Sequence, residues 1–344
     1  MKKPGFICLL LAFVFACTNK NENAPDLSGI NADVAVHRFD QDFFSLDSNN
    51  LLPGLNSLYA KYPVLTPIFL QNILGLDSIS TLPGVKNFLH LSRPIWDTVN
   101  QVFRNISSIE KDFEKAFRYV KYYFPDYKLP NLVTVVGPVD ALARSSAGYT
   151  PDFLGPDFLG ISLQFYLGAD YPVYKDAYFV EAVAPAYRSR RFSKEYIIGD
   201  GMQLIVDDLF PDQSSSKPLI EQMIERGKQW FLLDKFLPGE PDSVKTGYTA
   251  AQLKWCEENE GLIWSYIIKN EDLYALDPVT IHTYIGEGPF TQGFSQELSP
   301  GNLGQWIGWR IVQKYAEKNP SLHPREIMKA SPKTILDEAK YRPK

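Results

Sequence analysis

Asn131-Leu-Val-Thr-Val-Val-Gly137 and Phe158-Leu-Gly-Ile-Ser-Leu-Gln-Phe-Tyr166 decide the fold class. Each is a short run of β-branched, aliphatic or aromatic residues, the first of them stopped by a glycine, and each reads as a strand. Between them stands a five-residue tandem repeat, Pro151-Asp-Phe-Leu-Gly155 followed by Pro156-Asp-Phe-Leu-Gly160. It is too short to be a solenoid unit and reads as a turn leading into the second strand. A further alternating run, Asp33 to Phe39, suggests a strand before them.

On both sides of this β-rich middle the pattern is helical. Upstream, helices are predicted near 50–62, 92–104 and 106–123, with a turn at Lys128-Leu129-Pro130. Downstream, Leu219, Ile220, Met223, Ile224, Gly227, Trp230 and Phe231 recur at three and four over 217–236, and Pro238-Gly239 ends that helix. Thr249-Ala-Ala-Gln252 is a capping-box pattern opening a helix that runs to about Asn270. A last long helix is expected over 302–318, with Leu303, Trp306, Ile307, Ile311 and Tyr315 on one face. The expectation is one mostly helical α+β domain over residues 31–344, with a small sheet covered by helices.

The N-terminus carries an address. Met1-Lys2-Lys3 is basic, Phe6 to Ala16 is apolar, and Val14-Phe15-Ala16-Cys17 forms a lipobox before a polar stretch. An apolar run this short does not cross a ~30 Å hydrocarbon core as a permanent helix. Residues 1–16 therefore read as a lipoprotein signal peptide. Cys17 becomes the lipidated first residue, and 17–30 a flexible tether rich in Asn, Pro and Gly. At ~0.8 kcal/mol per buried methylene, two or three acyl chains hold the folded part to a membrane, most simply on its periplasmic side. Once Cys8 is removed and Cys17 consumed, Cys256 is the one cysteine left, so no intramolecular disulfide forms. Beside Trp255 in a helical pattern, Cys256 reads as a small buried hydrophobe.

Composition narrows the rest. A net charge of −5 argues against nucleic acid, which needs a basic footprint. The 6 Trp, 19 Tyr and 22 Phe suggest an aromatic core rather than a sticky surface. No H-E-x-x-H is present, and no two of His37, His90, His282 and His323 lie within about 40 residues of each other. G-x-S-x-G is missing, since Gly293-Phe-Ser-Gln fails at its last position; so are a P-loop, G-x-G-x-x-G and an EF-hand loop. Ser108-Ile-Glu-Lys111 and Ser214-Ser-Ser-Lys217 match S-x-x-K, but no S-x-N element lies between either and Lys245-Thr-Gly247. Asp207, Asp208, Glu225, Glu257 and Glu258 fall in helical stretches, where such carboxylates are usually solvated. Arg188, Arg190, Arg191 and Lys194 form the one basic cluster, read as an exposed loop of charges in preference to a site for lipid phosphates. No catalytic residue, metal ligand or cofactor is assigned; the one modified residue assigned is Cys17.

Pro289-Phe-Thr-Gln-Gly293-Phe, followed by Pro300-Gly-Asn-Leu-Gly304-Gln-Trp306-Ile-Gly308-Trp309-Arg-Ile-Val-Gln-Lys-Tyr315, resembles the gliding motility-associated lipoprotein family GldB of gliding Bacteroidetes. The likeness extends to Met223-Ile-Glu-Arg-Gly-Lys228 with Leu-Leu-Asp234, to Phe158–Gly168 and to the lipobox. Gly304 and Gly308 lie one turn apart, which lets a neighbouring backbone approach that face. The resemblance also implies a fold like that of zincin peptidases, with Asp200 to Phe210 in the place of a metal helix but without a histidine. It implies a membrane-anchored, non-enzymatic role in gliding and its secretion and adhesin-moving machinery, with envelope proteins as partners. The rival expectation is an envelope hydrolase, either a metallopeptidase with atypical ligands or a carboxylate glycosidase. A third is sugar binding through exposed aromatics.

Overall fold

The computed structural model describes residues 25–145, 148–270 and 272–343. The signal peptide 1–16 and the lipidated Cys17 lie outside the described residues, as does most of the tether. Its last residues are already held, because the Arg118 guanidinium donates to the carbonyls of Leu27 and Ile30.

The sheet is mixed and has the order β1-β2-β6-β5, with β1 Val36–Arg38, β2 Asn131–Val135, β5 Phe153–Leu154 and β6 Phe158–Ser162. β1, β2 and β6 run parallel and β5 returns antiparallel along β6. β6 is buried throughout and β2 after its first residue, as in parallel sheets covered on both faces, where strands read as continuous apolar runs. A small hairpin, β3 Ala143–Ser145 with β4 Gly148–Thr150, stands beside the sheet. The tandem repeat is the β5–β6 turn: Phe153 lies opposite Gly160, and a Cβ on Gly160 would collide with the Phe153 ring.

The strands are shorter than their sequence patterns. The run Asp33–Phe39 contributes only Val36–Arg38, because Phe39 already starts a helix. The run Phe158–Tyr166 is strand only to Ser162, then a 3-10 turn over Leu163–Phe165.

The longer helices are α1 Leu51–Lys61, α2 Thr81–Leu91, α3 Arg93–Val102, α4 Ser107–Tyr123, α5 Ile197–Leu209, α6 Leu219–Phe236, α8 Ala250–Glu258, α9 Glu260–Lys269, α10 Pro278–Ile285 and α11 Leu303–Lys318, with a short α7, Asp242–Thr246. The Thr249 capping box is formed, with Gln252 N donating to Thr249 Oγ1 at 3.1 Å and Thr249 N to Gln252 Oε1 at 3.0 Å. The helix it opens breaks earlier than its apolar pattern suggests. At the break Asn259 Nδ2 also donates to the Trp255 carbonyl at 2.8 Å, and α9 starts afresh at Glu260.

α6 is buried along most of its length and ties two cores together. Leu232, Leu233 and Phe236 pack in the core that surrounds the sheet, while Met223, Ile224 and Trp230 pack in a second core with Trp306, Ile307 and Ile311 of α11. The chain is thus a mostly helical α+β domain with a small sheet. Its aromatics are largely internal, with Phe39, Phe43, Phe69, Phe113, Phe117 and Trp306 almost fully buried. Cys256 is fully buried, and burial pushes its thiol up.

Candidate functional site

A cavity of about 150 Å³ opens where the sheet-side core, α6 and the segment preceding α11 meet. One wall comes from the start of α5, which presents Asp200, Gln203 and Leu204. Gly199 allows α5 to come this close to α7: a Cβ there would collide with the Val244 carbonyl oxygen. Thr150 at the end of β4 and Pro151 after it, Gly247 and Tyr248 after α7, and Glu287 and Asn302 before α11 close the remaining sides.

Arg190 and Arg191 of the basic cluster line this cavity, and Arg188 pairs with Glu287 on its wall. Arg188 is mostly buried, donates through Nε and Nη2 to the two Glu287 oxygens at 2.7 and 2.6 Å, and stacks over the Tyr149 ring at 5.0 Å. Arg190 donates to the Gly247 carbonyl at 2.7 Å and, through Nε, to the Tyr187 carbonyl at 3.0 Å. Arg191 lines the cavity with its guanidinium against Gly247, where a Cβ would lie 2.5 Å from Nη1. Gly247 also adopts a positive φ of 71°, so both the turn and the approach of Arg191 require glycine there. Only Lys194 is exposed, and its Nζ donates to the Val102 carbonyl at 2.7 Å. Three of the four charges turn inward because each arginine reaches a carboxylate, a carbonyl or the cavity, so the loop-of-charges reading fails.

None of the five helical carboxylates singled out in the sequence lines the cavity. Asp207 Oδ1 accepts from Gln203, Asp208 accepts the Tyr127 hydroxyl at 2.8 Å, and Glu225 pairs with Lys228 at 3.0 Å. Glu257 and Glu258 are exposed. Among the described residues no histidine or cysteine lines the cavity either. Among the described residues no three His, Cys, Asp or Glu side chains gather as a metal-holding group. The segment Asp200 to Phe210, which the resemblance sets in the place of a metal helix, falls almost wholly in α5 and supplies one wall.

The acidic feature that sequence reading missed is a pair of carboxyls joined by one phenol. The Tyr166 hydroxyl lies 2.8 Å from Asp152 Oδ2 and 3.1 Å from Asp200 Oδ2, and Ser162 N donates to Asp152 Oδ1 at 2.9 Å. A phenol carries one proton, so both contacts are hydrogen bonds only if one carboxyl supplies the second proton. Burial, reinforced by the charge of Asp200, pushes the Asp152 carboxyl up to about 8. Burial also raises Asp200, against the opposing pull of Arg191. The pair therefore holds a proton at neutral pH. Asp152 is fully buried, whereas Asp200 keeps some accessible surface on the cavity.

The surrounding surface offers no tryptophan to a sugar. Among the described residues, all six are buried or half-buried. The exposed large aromatics are tyrosines, among them Tyr178 and Tyr274.

The model of a family described as gliding motility protein GldB matches residues 20–343, nearly the whole chain. No curated protein and no solved structure matches.

Proposed function

Since this chain belongs to the family of gliding motility protein GldB, we propose that it is a lipid-anchored protein of the cell envelope. It serves gliding, and the machinery that secretes and moves surface adhesins, by binding in its cavity rather than by catalysis. The anchor is the lipid on Cys17, on the periplasmic side. Among the described residues no helix is long and apolar enough to cross a membrane, which is compatible with such an anchor. The partners are envelope proteins; nucleic acid has no place in this reading.

The observation that carries the binding reading is the way the cavity's polar groups are engaged. Glu287 is clamped by Arg188, Lys245 is paired with Asp234 and Asp242, and the Tyr248 hydroxyl donates to the Gly301 carbonyl at 2.9 Å. Among the described residues that line it, no nucleophile stands beside a base. The test is a clean deletion in the producing bacterium, restored with wild-type or Cys17→Ala protein. Loss of spreading and cell movement that only the wild-type restores is the expected result, and normal movement of the deletion strain would refute the role.

One observation favours the rival hydrolase: Asp200 touches the cavity and burial raises its carboxyl, the direction a general acid needs. Metal analysis of the purified full chain, together with an envelope-substrate hydrolysis assay on wild-type and Asp200→Asn protein, separates the two. Stoichiometric metal, or turnover abolished by Asp200→Asn, would establish the enzyme.

A further inference from the structure

Taking the cavity as a binding site, the charges on its walls indicate what it holds. Glu287 is neutralised by Arg188, and Lys245 by Asp234 at 2.6 Å and Asp242 at 2.7 Å. Asp200 is tied to Tyr166 and shares a proton with Asp152. Arg190 bonds only to neutral acceptors, the carbonyls of Gly247 and Tyr187 and the Gln252 side chain. Arg191 lies beside it with no side-chain hydrogen bond or ion pair among the described residues, and its charge disfavours that of Arg190 while favouring the ionised form of Asp200. Two adjacent cations face Asp200 as the carboxyl on this wall, and burial raises that carboxyl, so a further anion joining them would balance their charge better.

Part of the neighbouring wall is apolar, beside polar Gln203, Thr246, Asn302 and Gln305. Leu204, Val244, Ile285 and the Trp230 ring line the same space, and at about 150 Å³ it has the volume that accommodates a benzene-sized group. We propose that the cavity binds a carboxylate carried next to one apolar side chain, as at the C-terminal residue of a polypeptide, with Arg191 as its receptor. A guanidinium fork matches a carboxylate with two parallel hydrogen bonds, and Arg191 has its fork uncommitted. A free small acid bearing an apolar group has the same chemistry. Phosphate does not, because it would leave the apolar walls unfilled.

The experiment is calorimetric titration of the full chain in detergent micelles with four probes: acetyl-Ala-Ala-Phe, its C-terminal amide, 3-phenylpropionate and inorganic phosphate. The peptide acid is expected to bind about tenfold or more tightly than the amide. Arg191→Gln is expected to lose about tenfold or more, and Arg191→Lys, which keeps the charge but not the fork, to fall between. Peptide acid ahead of 3-phenylpropionate identifies a chain terminus as the source, and equal binding identifies a small acid; both support the carboxylate site. Equal binding of acid and amide, phosphate binding as well as the carboxylates, unaltered binding by Arg191→Gln, or no binding of either acid would overturn it. Motility of the deletion strain is read separately, so a failed titration and a failed gliding role are told apart.

Discussion

Gly227 and Gly308 bring the backbones of α6 and α11 into direct contact, and neither position has room for a methyl group. A Cβ on Gly227 would overlap the Gly308 carbonyl carbon and the Trp309 nitrogen, and one on Gly308 would overlap the Met223 carbonyl. Rigid helix backbones, not movable side-chain ends, occupy that space. Gly308→Ala and Gly227→Ala are therefore each expected to lower stability by about 1–3 kcal/mol or more, read from the urea midpoint. Lys314→Ala, which removes only an exposed pair with Glu317, should change it by less than about 0.5 kcal/mol.

The Asp152–Tyr166–Asp200 group makes stability depend on pH. The Asp152 carboxyl is raised in the folded protein, so the folded state holds a proton that the unfolded chain releases near pH 4. Its stabilising contribution is complete below about pH 4 and is lost as pH rises through about 8. In that window this group lowers stability by up to about 1.4 kcal/mol per pH unit. Arg191, facing Asp200, works in the opposite direction by favouring the ionised form. Urea unfolding of wild-type and Asp152→Asn protein at pH 5 and pH 8.5 isolates the effect. The variant should lose less stability between the two, and parallel curves would refute the shared proton.

Arg188 and Glu287 fasten the segment before α11 to the chain that precedes α5. Glu287→Ala leaves a mostly buried guanidinium without its counter-ion and is expected to cost about 2–3 kcal/mol; partial exposure of Glu287 keeps this below a fully buried pair. Raising the salt concentration should weaken the wild-type pair in part, because Glu287 reaches solvent while Arg188 is sheltered. Hydrogen exchange should show faster opening of residues 286–302 in the variant.

Membrane attachment is expected to depend on the residue at 17 alone. Cys17→Ser should move the protein from the membrane to the soluble fraction of the producing bacterium without changing the melting temperature of the folded domain. Unchanged fractionation would remove the lipid anchor from the account.

The parts of this architecture that repeat at helical spacing could be read directly from the chain. Leu219 to Phe236 and Leu303 to Lys318 fall within a residue or two of their patterns, and the Gly304–Gly308 spacing foretold a close helix approach. The parallel order of the sheet was not legible, since β1 is only three residues long and continuous apolar runs do not reveal strand direction. The cavity was harder still. Its walls come from segments as far apart as Tyr149 and Gln305, and no local pattern joins Asp152, Tyr166 and Asp200. Four basic residues within seven look like a solvated loop until Glu287, 99 residues beyond Arg188, is seen to pair with it. The repeat Pro-Asp-Phe-Leu-Gly held the one local clue: two identical aspartates, of which only Asp152 is buried.

Tracking of single cells on a surface tests the central claim most directly. A deletion strain would be complemented with wild-type or Arg191→Gln protein, each confirmed at equal amount in the membrane fraction. Cells with the wild-type chain should glide and cells with Arg191→Gln should not. Gliding of the Arg191→Gln cells at wild-type speed would contradict the assignment of the cavity as the working part of the molecule.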